Sequence, residues 1–147
     1  MGDEVFLNPT FLAAFIGWFA AQFIKFTWNL IRNRAVDFRY MISTGGMPSA
    51  HSAAVSAMAT SAGIREGLGS TTFAVGLVVA LIVMFDAQSV RRAAGQQARL
   101  LNQIVQELFK EHHLSTHKLA ELLGHTRLEV LAGMLLGVAT GLAVHTF

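Results

Sequence analysis

Four apolar stretches, residues 10–31, 49–64, 71–90 and 128–147, alternate with polar connections along the chain. Crossing a hydrocarbon core of about 30 Å takes roughly 20 helical residues, so the first and last stretches span it comfortably and the second is short. Residues 63–69 form a brief polar, glycine-bearing turn, which predicts a tight hairpin of the second and third helices. On the last helix Gly133, Gly137 and Gly141 repeat every four positions. That smooth stripe lets another helix approach closely, either within the bundle or across a homodimer seam. Before the last stretch, Leu100, Leu101, Ile104, Val105, Leu108 and Phe109 recur at helical spacing, the pattern of an amphipathic helix. Beside a bilayer such a helix lies on the surface, apolar side down. Ser115 then reads as the N-cap of a short helix that Gly124 ends. The expected fold is all-α: one domain over residues 1–147, an integral membrane bundle of about four transmembrane helices with a surface helix in the third connection.

Composition supports a membrane as solvent. The chain is 53% hydrophobic and 14% charged, where soluble domains are about a quarter charged. It has no cysteine, which excludes disulfides, thiolate metal sites and cysteine nucleophiles. Asp3 and Glu4 precede the first apolar run, unlike the basic start of a signal peptide, so that run is expected to stay as a helix. Arg65 lies in the turn between the second and third helices, whereas Arg32, Arg34, Arg39, Arg91, Arg92, Arg99, Lys110, Lys118 and Arg127 lie in the other two connections. The positive-inside rule places those connections in the cytoplasm and both termini outside, although a cationic functional cluster would produce the same bias. Nucleic acid is excluded as a partner, because the net charge is only +2 and the cations flank the spans. The glycine cluster also lacks the Gly-Lys-Ser/Thr of a nucleotide loop.

Chemistry-bearing residues gather in four places. Residues 44–52 (Thr-Gly-Gly-Met-Pro-Ser-Ala-His-Ser) run from a glycine-rich loop into a helix, with Pro48 near its first turn. Free amides and the positive end of the helix suit an anion, and Ser49 and His51 add donors; the plainer alternative is a capped helix start with an interfacial histidine. Lys25 and Arg32 are seven positions apart, on a similar face, as a shared anion site or as interfacial anchors. Asp86 sits in an apolar run before Arg91 and Arg92, which suits a structural ion pair or, for one arginine, a bidentate grip on phosphate. His125 and Glu129 are four apart, so a carboxylate can orient the imidazole, as a nucleophile or base requires; a surface ion pair is the alternative. All four places fall on one side of the bilayer, because odd helices end there and even helices begin there. Two histidines, a lysine, arginines, a carboxylate and an amide-rich helix start are what phosphoryl transfer needs.

These residues resemble the type 2 phosphatidic acid phosphatase superfamily, in its divergent branch related to acid phosphatases and vanadium-dependent haloperoxidases. Lys25 and Arg32 match the Lys-x6-Arg-Pro motif in spacing, with Asn33 in place of proline. Pro48, Ser49 and His51 match Pro-Ser-Gly-His, with Ala50 in place of glycine. The third motif, Ser-Arg-x5-His-x3-Asp, is split: Ser89 to Arg92 resembles its first half, and His125 with Glu129 its second, with residues 93–124 where the family has five. The blocks 45–52, 86–98 and 123–133 are similar to the divergent branch.

The resemblance implies that His125 attacks phosphorus to form a phosphohistidine, Glu129 orients it, and His51 protonates the leaving oxygen and then activates water. Lys25, Arg32, Ser49 and Arg91 or Arg92 would bind the phosphoryl oxygens, with no metal or cofactor. The expected activity is hydrolysis of a lipid or isoprenoid phosphate monoester or pyrophosphate, at the cytoplasmic face of a bacterial plasma membrane. The alternative is a non-catalytic binder or carrier of phosphorylated lipid headgroups.

Overall fold

The computed structural model describes residues 8–33, 46–108 and 124–146, and among them every regular element is a helix. Asn8 Oδ1 accepts from Thr10 N at 2.9 Å and Pro9 fills the first helical position, starting α1 (Pro9–Asn33). Helix α2 (Ala50–Glu66) is capped by Ser49, and α3 (Thr71–Gln88) by Ser70, whose Oγ accepts from Phe73 N at 3.1 Å. Helix α4 is Val90–Leu108, and α5 is Arg127–Ala143 behind a Thr126 cap. The amphipathic segment is longer than its apolar pattern predicts. Residues 90–99 carry few large apolar side chains to register on one face, yet their alanine, arginine and glutamine are good helix formers. Between α3 and α4, Ser89 donates twice to the Phe85 carbonyl, from its Oγ at 2.6 Å and from its backbone N at 2.9 Å. The short helix expected from Ser115 to Gly124 lies outside the described residues.

Helix α2 is the centre of the bundle. It packs on α1, α3 and α5, and α1 also touches α5. What lets three helices close on α2 is side-chain size: its inward positions include Ala50, Ala53, Ala57, Ser52, Ser56 and Ser61. Along α5, a Cβ on Gly133 would clash with the Ser49 carbonyl oxygen, and one on Gly137 with the Ala53 carbonyl oxygen; one on Gly141 would sit 2.9 Å from the Ala57 carbonyl oxygen. The glycine stripe is thus filled by α2 of the same chain and is not left open to a second copy. Gly17 of α1 also comes close, its Cβ position 3.0 Å from the Ala53 carbonyl oxygen.

Large side chains point the other way. Among the described residues the largest fully buried side chains are serines, while Phe15, Phe23, Trp28, Ile82, Phe85 and Leu135 are more than half exposed. In water this arrangement would forfeit most of the available burial. In lipid it is the expected one, since tails solvate large apolar groups and small residues let helix backbones meet. The stretches Pro9–Ile31 and Thr71–Val105 are long and apolar enough to cross a membrane; α2 and α5, at 17 residues each, are shorter. The chain is a helical membrane bundle.

The two ends of the bundle differ. At one, Ser61 Oγ donates to Thr10 Oγ1 at 3.2 Å and lies 2.8 Å from His145 Nε2, while Arg65 reaches Asn8 Oδ1 at 3.2 Å. These bonds pin the start of α1, the end of α2 and the C-terminal turn together. The other end holds the predicted chemistry.

Candidate functional site

Two backbone bonds assemble the site. Ser49 N donates to the Glu129 carbonyl at 2.9 Å, joining the cap of α2 to the first turn of α5. His125 N donates to the Ala87 carbonyl at 2.9 Å, joining the approach to α5 to the last turn of α3. Segments 80 and 38 positions apart in sequence are thereby held in one register. Gly124 enters the loop with φ +94°, a conformation that side chains resist.

The Thr126 cap and Glu129 form a capping box. Glu129 N donates to Thr126 Oγ1 at 3.3 Å, and Glu129 Oε2 accepts from Thr126 N at 2.9 Å. The same Oε2 lies 3.1 Å from His125 Nδ1. With the carboxylate as acceptor, Nδ1 is the donor, and in the neutral imidazole the lone pair then falls on Nε2. His125 is 2% exposed, and its ring is fixed by the carboxylate on one nitrogen and by its own backbone bond to α3. Glu129 therefore serves two purposes at once: it caps α5 and sets the histidine tautomer.

Lys25 supplies positive charge from α1. It is 5% exposed, its Cδ comes 4.0 Å from where a Cβ on Gly46 would be, and it lies within Coulombic range of Glu129. Gly46 has φ +85°, which keeps the loop backbone bare beside the lysine. Ser49 is fully buried; its Oγ accepts from Ser52 N at 3.4 Å and from Ser52 Oγ at 3.0 Å, so its own O–H remains a donor.

Of the residues singled out from sequence, Lys25, Ser49, His125 and Glu129 thus meet at one end of the bundle. His51 is in the first turn of α2 and is exposed, between buried Ser49 and Ser52. Asp86 is one residue before the carbonyl that holds His125, but it borders an apolar recess with Leu81, Ile82, Phe85 and Val90 on the outside of α3. Arg92 is exposed on α4. Arg32 closes α1 and Arg91 opens α4, and their side chains lie outside the described residues. Among the described residues, no group of three or more His, Asp or Glu is placed to hold a metal ion.

Four contributors were not read as such from the sequence. Thr126 is legible in hindsight, since Thr126-x-x-Glu129 is a capping-box pattern. Ser52 shares the buried side of α2 with Ser49, which alternating Ala and Ser conceal. Gln22 and Asn29 flank Lys25 on one face of α1 and are 5% and 8% exposed. Their spacing of three and four residues was the available signal.

Fold and site together define an α-helical membrane protein whose buried histidine, paired with a partly exposed carboxylate, stands at the junction of three helix ends beside a buried lysine. The model of the Divergent PAP2 family matches residues 6–140, and the chain belongs to that family. It is 38% identical, over 98% of each chain, to the uncharacterized membrane protein YuiD of Bacillus subtilis. No solved structure matches.

Proposed function

We propose that this protein is a membrane-embedded phosphatase that hydrolyses a lipid phosphate monoester or pyrophosphate through a phosphohistidine. The observation that supports it most is the buried His125, held by Glu129 at Nδ1 so that its lone pair lies on Nε2, beside Lys25 and the bare Gly46 backbone. In the first step Nε2 attacks the terminal phosphorus, a P–N bond forms, the P–O bond to the leaving group breaks, and His51 donates a proton to the leaving oxygen, an alkoxide for a monoester and a phosphate oxygen for a pyrophosphate. In the second, water attacks phosphorus as His51 takes its proton, the P–N bond breaks, and orthophosphate leaves. Lys25, Ser49, Arg32 and an arginine of the 91/92 pair neutralise the phosphoryl oxygens. Membership of the Divergent PAP2 family and the apolar exterior support a lipid substrate.

The bacterial relative, a membrane protein, and the cation-rich connections beside this end support a plasma-membrane location with the site on the cytoplasmic face. The test is chemical trapping. Brief incubation with labelled lipid phosphate, then denaturation, should leave an acid-labile, base-stable phosphoryl group on His125; label on another residue, or none during turnover, contradicts the mechanism. A second reading, a non-catalytic binder of phosphorylated headgroups, is favoured by the exposed position of the proposed acid His51. It predicts saturable binding with no release of phosphate.

A further inference from the structure

Gln22 is 5% exposed, and its Oε1 is fully buried with no hydrogen-bond partner among the described residues. It lies three residues before Lys25 and seven before Asn29, so the three share one face of α1. Its neighbour Ala21 packs against Ala50 and Ala53, which places this stretch of α1 against the first turns of α2. A buried amide carbonyl left without a donor is costly in any interior, and more so within a membrane bundle. A donor on a bound ligand would complete it.

Position decides what that ligand carries. Gln22 is one turn from Lys25 toward the bilayer centre, about 4.5 Å along the axis at 1.5 Å per residue. If Lys25 marks the phosphate, Gln22 is level with the lipid atoms just beyond the phosphate ester. An acceptor at that level selects a donor there.

We propose that Gln22 is a specificity-determining residue: its Oε1 accepts a hydrogen bond from a hydroxyl or amide N–H that the lipid carries within a few bonds of its phosphate ester. This rests on the reading of Lys25 and His125 as a phosphate site. It narrows the substrate class to lipid phosphates with such a donor, and it disfavours prenyl phosphates, which have none. Gln22→Met keeps side-chain length and removes the acceptor.

The experiment measures binding and phosphate release for wild type and Gln22→Met in detergent, with lysophosphatidate and its O-methyl ether, which differ in that one donor. Melting temperature is recorded without ligand. Wild type should bind lysophosphatidate about tenfold or more tighter than the ether, a margin typical of a buried acceptor denied its donor. Gln22→Met should bind both alike, at an unchanged or raised melting temperature, because the substitution removes an uncompensated polar group. Equal binding by wild type, or a preference that survives in Gln22→Met, overturns the proposal. So does a lowered melting temperature with loss of both ligands, which would make Gln22 structural. Preference for the donor-bearing lipid without any phosphate release would overturn the phosphatase reading and leave the role of Gln22 standing; binding of neither lipid would overturn both.

Discussion

At the scale of single residues, the site rests on one carboxylate oxygen that accepts from both the Thr126 amide and His125 Nδ1. The two duties separate in one substitution. Glutamine is as good as glutamate in a capping box, so Glu129→Gln keeps an oxygen for Thr126 N while the charge that supports an imidazolium is lost. Glu129→Gln should fold with a near-normal melting temperature and turn over about a hundredfold more slowly or worse, within the usual range for losing general acid–base support. Thr126→Ala makes the converse change. It removes the cap at a cost of about 1 kcal/mol and should lower the melting temperature more than it lowers turnover. Thermal unfolding and initial rates on the same preparations check both.

At the scale of helices, the contact between α2 and α5 sets the site, because the Ser49 to Glu129 bond lies directly above the Gly133 contact. Gly133→Ala forces its Cβ into the Ser49 carbonyl, so it should cost about 1–3 kcal/mol by overpacking and should also impair turnover. Ser61→Ala, at the other end of the bundle, should cost about 1 kcal/mol for its lost bonds and leave turnover intact. Equal effects of the two on activity would break the link between α5 register and the site.

The four apolar helices were legible in the sequence to within a few residues because apolar length is a local signal, and Ser49 caps the helix whose start it announced; the amphipathic helix begins ten residues before its apolar pattern. The His125–Glu129 pair was legible for the same reason, its two members being four residues apart across the start of one helix. The use of the glycine stripe was not, since spacing shows only that something packs closely, and the partner proved to be the α2 backbone. Nor could spacing tell that His51 is exposed or that Asp86 borders an outer recess; which side of a helix is covered depends on where its neighbours lie.

At the scale of the whole molecule, serines and alanines inside and phenylalanines and leucines outside make the bilayer a part of the fold. A charge on that exterior should be expensive. Leu135→Lys, on the exposed side of α5, should reduce membrane insertion by about 3 kcal/mol on the insertion scale, readable as loss of protein from the membrane fraction. On the proposed phosphatase reading, the same exterior would let a lipid phosphate enter sideways from the bilayer, with its phosphate at the level of Lys25 and His125. Phosphate release from a panel of lipid phosphates by detergent-purified protein, with His125→Ala and His51→Ala alongside, tests this most directly. Release by the wild type that is abolished in His125→Ala and strongly reduced in His51→Ala is the expected result; release that persists undiminished in His125→Ala would contradict it.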